Sequence, residues 1–271
     1  VLQVGEGPPF LALAGGRISA TPGIGHLCLS SPGIDAARVV RTMQEHGVSQ
    51  MEPGGQGLSV SSLRVRVRVR GAEFGGDPSG TPELYVGDPD GVVVQLQDPS
   101  YCGGAGPLGE CLTRPEPSPK AGAFRIRDYN HFTIFVSDAE HSVAFYQRLF
   151  GMPIDTYQGN MPLLRIGSGS QFLALAAPGQ EPAINHACFT IEDFDPDRVL
   201  SVLEDHGIRY SDAATPPVPP LTSYISMRMA NRGGAPGGTP ELYFTDPDGI
   251  LIQLQATGYC GGSGFLGDVC D

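Results

Sequence analysis

The chain has 271 residues, of which 40% are hydrophobic and 17% charged, so it is long enough for one large domain or two ordinary ones with a sizeable core. Asp and Glu outnumber Lys and Arg by 29 to 17, and this acidic balance argues against nucleic acid as a partner. No apolar run approaches the roughly 18 residues that a membrane-spanning helix needs, so we expect no membrane partner.

Long segments of the first half return in the second half. The corresponding pairs are 1–15 with 163–177, 25–48 with 185–208, and 80–97 with 238–255. The offset is about 160 residues, which indicates a tandem duplication.

The chain opens inside this repeat. Val1 aligns with Leu163, about 30 residues beyond the first strand of the partner unit. The sequence therefore predicts that Val1 is not the natural start of the fold, and that a strand and helix resembling 130–152 should precede it.

A strand with strict alternation is predicted at 62–71, where valines occupy one face and four arginines the other. If the valines meet helices, the arginines line a concave face and could bind an anionic ligand. The alternative is a solvated sheet face. The matching strand of the second half places Tyr224, Ser226 and Arg228 on the arginine side.

The second half shows the underlying plan most clearly. Residues 130–152 predict a strand, a turn and a helix that begins near Asp138 and ends at Gly151. The segment from 184 repeats this order, and each strand–helix piece is followed by about three strands. The second half is therefore predicted to contain two βαβββ units, at 127–178 and 184–256, and the fold class is α+β.

Two glycine-rich loops close the halves, and each is flanked by cysteines outside any zinc-ribbon spacing. We expect one disulfide in each loop, Cys102 with Cys111 and Cys260 with Cys270, each contributing about 2.5 kcal/mol in the chain-entropy model. Cys28 and Cys188 should be free. Two disulfides predict a periplasmic or secreted protein, the alternative being reduced thiols in the cytosol.

Paired βαβββ units, a His on the first strand, and "DPDG" four residues before a polar position together resemble the vicinal oxygen chelate superfamily. That family includes glyoxalases, bleomycin resistance proteins and extradiol ring-cleaving dioxygenases, and four units in two modules look most like the last group. The resemblance implies two cup-shaped mixed-sheet modules. These are 1–112, lacking its opening strand–helix, and 127–271, which follows a linker at 113–126 and carries the candidate metal site.

The family's metal-ligand positions fall on His131, His186 and Gln253 in the second module. Strand alternation supports this assignment, because it places the three side chains opposite apolar faces. The family pattern has Glu where this chain has Gln253. Two His and one carboxylate suit ferrous iron, so Fe(II) is the first expectation, and the neutral Gln makes Zn, Mn or Cu alternatives. The other interpretation is a wet polar pocket without metal.

Further residues of the second cup follow from the same resemblance. Tyr243 takes the position of a Tyr that hydrogen-bonds substrate in extradiol enzymes and is the catalytic candidate, although a structural Tyr is equally consistent with the spacing. Tyr224 and Arg228 are the substrate-binding candidates. His26 and Gln95 mark a vestigial or structural site in the first module. The family's acid–base His is missing from the segment before Tyr243.

Three functions remain open on these grounds. The first is a metal-dependent enzyme, an extradiol-type dioxygenase acting on an aromatic diol-like substrate. The second is a metal-free protein that binds or sequesters a small molecule, as bleomycin resistance proteins do. The third is an isomerase, lyase or hydrolase that uses Zn or Mn as a Lewis acid. The expected partner is a small-molecule substrate, and homo-oligomer formation is left open.

Overall fold

The computed structural model describes residues 1–15, 21–52, 60–111, 116–212 and 217–270. The strands of the first half are β1 (Leu2–Gln3), β2 (Phe10–Leu11), β3 (Leu27–Ser30), β4 (Ser49–Gln50), β5 (Arg64–Arg70), β6 (Thr81–Gly87) and β7 (Val93–Gln97). Those of the second half are β8 (Ile126–Phe135), β9 (Ile154–Gln158), β10 (Met161–Arg165), β11 (Phe172–Ala176), β12 (Ala183–Ile191), β13 (Arg209–Tyr210), β14 (Thr222–Arg228), β15 (Thr239–Thr245) and β16 (Leu251–Ala256). The helices are α1 (Ala36–Glu45), α2 (Ala139–Phe150) and α3 (Pro196–Asp205).

The chain divides into two compact units. The first contains β1–β7 and α1, together with residues 144–150 of α2, and the second contains the start of α2 together with β8–β16 and α3. The change from the first unit to the second at 119–120 falls inside the predicted linker 113–126. The predicted end of the first module at residue 112 lies outside the described residues.

The second unit is built on one nine-stranded mixed sheet with the order β13-β14-β15-β16-β12-β8-β11-β10-β9. Its centre is the antiparallel pair β8 and β12, while β11 runs parallel to β8 and β16 runs parallel to β12. Each central strand is followed by a helix and then by the strands of its own flank. The two predicted βαβββ units and the α+β class are therefore confirmed, with β13 as a short additional strand.

The helices begin and end where the sequence indicated. The carboxylate of Asp138 accepts a hydrogen bond from the backbone N–H of His141 at 3.0 Å, and Gly151 follows α2 with a φ of +64°. In α3 the carboxylate of Asp195 accepts from the backbone N–H of Arg198 at 2.8 Å. Each capped helix thus begins shortly after a central strand, α2 after β8 and α3 after β12.

The first unit reproduces half of this sheet. Its five strands have the order β3-β7-β6-β5-β4, which corresponds to β12-β16-β15-β14-β13. Among the described residues no strand pairs with the outer edge of β3, the edge at which β12 meets β8, and β1 and β2 form a separate two-stranded sheet. The first module is thus incomplete over the part of the chain that the structure describes. That a strand and helix precede Val1 remains a prediction.

Both predicted disulfides are present, Cys102–Cys111 and Cys260–Cys270, while Cys28 and Cys188 are free. Each bond closes a glycine-rich loop that follows the last strand of its unit. None of the described helices has the length and apolar character needed to cross a membrane.

Candidate metal centre

His131, His186 and Gln253 meet on one face of the second unit's sheet, which we call the histidine face. They come from the adjacent strands β8, β12 and β16, and both His131 and Gln253 lie opposite Cys188 in the strand register. The Nε2 atoms of His131 and His186 are 3.4 Å apart, and Nε2 of His186 is 3.0 Å from Oε1 of Gln253. The three side chains are 4%, 5% and 1% exposed. The structure therefore brings the three predicted ligands together.

Each histidine is held by the asparagine that precedes it. Nδ1 of His131 lies 2.8 Å from Oδ1 of Asn130, and Nδ1 of His186 lies 2.7 Å from Oδ1 of Asn185. Burial lowers the pKa of His131 well below its ordinary value, with the neighbouring His186 adding to the effect, and burial lowers the pKa of His186 to about 4. Both rings are therefore neutral at pH 7 and carry a single proton each.

The amide of Gln253 lacks a partner for one of its two ends. The one proton of His186 can lie at Nε2 and serve Oε1 of Gln253, if the half-buried Asn185 amide turns its nitrogen toward Nδ1. The Nε2 atom of Gln253 itself has no partner among the described residues. One atom of this buried amide is thus unsatisfied.

A divalent cation fits this arrangement. Ligand atoms about 2.1 Å from a common metal, at angles of about 90–110°, are separated by about 3.0–3.4 Å, which matches the two spacings measured here. The donor set consists of two imidazole nitrogens and one amide oxygen, and it carries no charge. Among the described residues no group of three or more His, Cys, Asp or Glu side chains is placed to hold a metal ion, so Gln253 is needed as the third donor.

Aromatic rings enclose the two histidines. Phe172, paired with His131 across β11 and β8, stacks on its ring at a centroid distance of 4.2 Å. Tyr243, the catalytic candidate, lies opposite Gln253 in the register and meets the ring of His186 edge-on at 5.3 Å. Tyr224 stacks on Tyr243 at 5.1 Å, and both tyrosines are partly exposed. Tyr243 and Tyr224 therefore lie where a ligand could approach the candidate metal site.

Arg228 has a different neighbourhood from the one expected of a substrate-binding residue. It is fully buried, and its Nε donates to Oε1 of Glu241 at 2.7 Å. Its other two nitrogens donate to the backbone oxygens of Gly233 and of Gly262, a residue of the disulfide loop. Each guanidinium nitrogen thus has an acceptor from the protein itself. A contact between Arg228 and substrate remains a prediction.

Glu241 joins Arg228 to the start of the same loop. Its Oε1 also accepts from the hydroxyl of Tyr259 at 2.9 Å, while the amide of Gln158 donates to that hydroxyl at 3.1 Å. The ring of Tyr259 lies 5.7 Å from that of His131 and belongs to a buried cluster with Leu163 and Phe172. The loop at 259–270 therefore packs on the histidine face beside His131.

The first unit contains the same network, which we call the Arg–Glu–Tyr lock. Nε of Arg70 donates to Oε1 of Glu83 at 2.7 Å, and its Nη2 donates to the carbonyl of Gly104 in the first disulfide loop. The hydroxyl of Tyr101 donates to Oε1 of Glu83 at 2.8 Å. Arg66 and Arg70 on the arginine side of β5 are thus buried, so the alternative of a solvated sheet face does not hold at these two positions.

The candidate site of the first unit contains two candidate side chains, His26 and Gln95. His26 is partly exposed, hydrogen-bonds the buried Gln95 and meets the ring of Tyr85 edge-on at 5.8 Å. Burial lowers the pKa of His26, and the bond to Gln95 opposes this shift. No counterpart of His131 exists among the described residues of this unit, because β3 has no neighbour where β12 has β8. A vestigial or structural role for His26 and Gln95 remains a prediction.

Sequence reasoning did not single out Asn130, Asn185 or the glutamates of the two locks. A signal for the asparagines was available, because "NH" occurs within both central strands of the second unit. A signal for the glutamates was the equal spacing of the ion pairs, since Arg70 and Glu83 are 13 residues apart, as are Arg228 and Glu241.

Residues 128–254 match the family described as the Glyoxalase/Bleomycin resistance protein/Dioxygenase superfamily. These residues form a domain of that superfamily. They contain all three candidate ligands, and the predicted resemblance is thereby confirmed for this domain. A relative, the glyoxalase domain-containing protein RDO1 of Mycosarcoma maydis, is 29% identical over 139 residues, which cover 48% of this chain and 69% of the relative.

Solved structures support the same fold over a longer stretch. A catechol 2,3-dioxygenase matches 90% of this chain and 69% of its own length at a TM-score of 0.52 and 14% identity. The 2,2',3-trihydroxybiphenyl 1,2-dioxygenase of Sphingomonas wittichii strain RW1 matches 91% of this chain and 72% of its own length, with a TM-score of 0.52 and 15% identity.

The Mn(II)-bound glyoxalase of Novosphingobium aromaticivorans matches 85% of this chain and 62% of its own length, with a TM-score of 0.51 and 16% identity. At such identities the likeness shows the fold alone. It confirms the α+β arrangement of the vicinal oxygen chelate kind, which hosts several chemistries.

Proposed function

We propose that the second unit binds a divalent metal ion through Nε2 of His131, Nε2 of His186 and Oε1 of Gln253, and that the protein is a metal-dependent enzyme acting on a small molecule. The convergence of two imidazole nitrogens and one amide oxygen in one buried cluster, with separations of 3.4 and 3.0 Å, carries the proposal. The Gln253 amide also keeps a buried nitrogen without a partner among the described residues, and such a group is costly where water is largely excluded.

The metal would supply positive charge that polarises oxygen atoms of a bound substrate. The chain's own residues would orient that substrate. Tyr243 lies against His186 and is partly exposed. Its hydroxyl donates to Oε2 of Glu241 at 3.4 Å, and it would have to leave this long bond to donate to a substrate oxygen near the ligands. Tyr224, stacked on Tyr243, offers a flat aromatic face for a planar substrate.

Within this class we propose an extradiol-type dioxygenase acting on an aromatic diol-like substrate as the first activity to assay. The aromatic pair Tyr224 and Tyr243 and the fold shared with two ring-cleaving dioxygenases support this choice. Fe(II) is therefore the first metal to test. The uncharged donor set favours Zn or Cu more than a site with a carboxylate would. A Zn or Mn enzyme that uses Lewis-acid chemistry is the related alternative.

A metal-free binding protein is the second candidate function. The near-complete burial of His131, His186 and Gln253 favours it, because catalytic metal sites keep a position open to substrate. The partly exposed Tyr224 and Tyr243 would then form the wall of the binding pocket.

Metal analysis of protein purified without chelators separates these functions. We expect about one equivalent of a divalent metal per chain in the wild type and in His26→Ala, and none in His131→Ala. Oxygen uptake with a simple catechol, measured after loading with Fe(II), then tests the dioxygenase activity. A wild-type chain that stays metal-free after incubation with Fe²⁺, Mn²⁺ and Zn²⁺ would leave the binding protein as the better interpretation.

We also propose an oxidising location, periplasmic or extracellular, for this protein. Disulfides persist in such compartments and are rare in the cytosol, and both loops carry one. Thiol labelling of the protein in intact cells checks this proposal, since Cys102, Cys111, Cys260 and Cys270 should resist alkylation until a reductant is added.

A further inference from the structure

The amide of Asn130 has only one orientation that satisfies both of its ends. Its Nδ2 donates to the backbone oxygen of Tyr259 at 2.7 Å, and its Oδ1 faces Nδ1 of His131 at 2.8 Å. Turning the amide would place its oxygen against the Tyr259 carbonyl, which cannot donate. Because Asn130 is only 2% exposed, water cannot readily compensate for such a mismatch.

This orientation decides which nitrogen of His131 carries the proton. Oδ1 of Asn130 can only accept, so Nδ1 of His131 must be the donor. The neutral ring then has its lone pair on Nε2, the atom that points at His186. A metal ligand needs this tautomer, and histidines that bind metals usually donate their other ring N–H to a fixed acceptor.

The carbonyl that orients Asn130 belongs to the disulfide-closed loop. Tyr259 stands at the beginning of this loop, and its hydroxyl is held by Glu241 and Gln158. Gln158 also donates to the backbone oxygen of Gly261 at 3.1 Å, and Cys260 is bonded to Cys270. The backbone at Tyr259 is thus fixed by contacts on both sides of its carbonyl.

The first unit has the loop and the lock but lacks this connection. Strand β8, which carries Asn130, has no counterpart among the described residues of the first unit. Gly25, which corresponds to Asn185, has no side chain to accept from Nδ1 of His26. The first unit therefore offers an internal reference in which the loop is present without the positioning asparagine.

We propose that Asn130 is a positioning residue that fixes the Nδ1–H tautomer of His131, and that the loop at 259–270 acts on the metal centre by orienting Asn130 through the carbonyl of Tyr259. This inference rests on the proposed function in treating His131 as a ligand. The tautomer itself is a property of the metal-free chain and is measured without any metal.

Long-range proton–nitrogen correlation spectra of the metal-free protein at neutral pH test the first part, because they distinguish protonated from unprotonated ring nitrogens. We expect His131 of the wild type to be protonated at Nδ1. Asn130→Ala should convert the ring to a mixture or to the Nε2–H form, because no side-chain acceptor then faces Nδ1. His206, at the end of α3, serves as the reference within each spectrum.

An Asn130→Ala protein that is folded, as judged by an unchanged His206 signal, and that still has His131 protonated only at Nδ1 would overturn the proposal. Because the two Nε2 atoms are 3.4 Å apart, the tautomer of His186 is expected to change with that of His131. Asn185→Ala is the matched control, and it should leave His131 protonated at Nδ1 because both bonds of Asn130 are kept. Loss of that form in Asn185→Ala would also count against the positioning role.

Calorimetric titration with Zn²⁺ tests the consequence for binding. Asn130→Ala should weaken Zn²⁺ binding about 10–100-fold, the usual effect of losing such an outer contact. Removing the second disulfide by the paired change Cys260→Ser and Cys270→Ser should weaken binding less, and the matching change at Cys102 and Cys111 should leave it unchanged.

Equal effects of the two disulfide changes would contradict the role of the second loop. If the wild type binds no Zn²⁺ while the tautomer of His131 still follows Asn130, the proposed metal function fails and the positioning role stands. If Zn²⁺ binds but the tautomer of His131 does not depend on Asn130, the proposed metal function stands and the positioning role fails.

Discussion

The two units of this protein share a lock and differ in their histidines. In each unit a buried arginine, a glutamate and a tyrosine fasten a disulfide-closed loop to the sheet with closely similar distances. Only the second unit adds a central strand pair with two histidines, each preceded by an asparagine. The comparison shows that the loop and its lock do not depend on a metal centre, whereas the centre depends on a strand that the first unit lacks among its described residues.

The free cysteines show the same difference at matching positions. Cys188 on β12 is buried between β8 and β16, and burial raises the pKa of its thiol well above the ordinary value. Cys28 on β3 pairs with β7 alone and has exposed surface, although the groups around its thiol still raise the pKa to about 12. One missing neighbour thus changes a residue from the interior to the surface and removes one side of the candidate site.

The largest expected difference between the two units is the loss of metal affinity when a histidine is replaced by alanine. His131→Ala or His186→Ala should reduce metal affinity by more than the roughly 10–100-fold cost of an outer contact, because a direct ligand is lost. His26→Ala in the first unit should change metal content little. Elemental analysis per chain checks this, and full metal in the His186 variant would refute the assignment.

Replacing the glutamate of either lock by glutamine should lower the stability of its unit by a similar amount. Glu241→Gln leaves the buried guanidinium of Arg228 without its counter-charge, and the loss of one partner of a buried pair costs about 3–5 kcal/mol. Glu83→Gln should destabilise the first unit similarly, since both Arg70 and Arg68 lie near that carboxylate. Denaturant unfolding followed by probes in each unit measures both losses.

A cost below about 1 kcal/mol, typical of exposed ion pairs, would show that a lock is solvated in solution. Loss in one unit only would show that the two locks, although alike in geometry, contribute differently to stability.

Removing either disulfide should have a smaller and equal effect on stability. The chain-entropy model gives about 2.5 kcal/mol for loops of this length. Paired Cys→Ser variants of each loop, compared by their free energies of unfolding, provide the measurement. A much greater loss for the second loop would indicate that its contacts with the histidine face depend on the covalent bond.

The smallest expected effect is the gain in metal affinity of the second unit after Gln253→Glu. A carboxylate beside a partly buried cation gains several kcal/mol at an effective dielectric near 20, and desolvation cancels part of it. We expect metal affinity to rise about tenfold, equivalent to about 1.4 kcal/mol. Gln95→Glu, the matched change in the first unit, should give no measurable site. Calorimetry on both variants decides, and weaker binding by Gln253→Glu would argue against Gln253 as a ligand.

Much of this arrangement could be predicted from the sequence because it is periodic. The repeat revealed the duplication, and strand alternation placed His131, His186 and Gln253 on faces that the topology then brought together. The register added what alternation cannot give, namely that Cys188 lies between His131 and Gln253. Contacts between neighbouring strands of one repeat are thus within reach of pattern analysis.

The remaining contacts depend on where a loop returns in space. Arg228 was correctly placed on the side of the sheet that carries Tyr224, but its partner Glu241 lies on the next strand, and the carbonyl of Gly262 comes from a loop 34 residues away. The bond between Asn130 and Tyr259 spans 129 residues. No local pattern encodes such distances, so the role of the loop beside His131 could not be inferred from its cysteines.

The tyrosine that begins each loop is pressed against the backbone of a glycine near its end. A Cβ atom on Gly267 would lie 2.6 Å from the ring of Tyr259, and one on Gly109 would lie 2.3 Å from the ring of Tyr101. Both glycines also have positive φ angles, +66° and +80°. Neither glycine can therefore gain a side chain while the tyrosine ring keeps its place. In the second unit a single methyl group added at position 267 would displace Tyr259, and its effect would reach His131 through Asn130 from a site that touches neither residue.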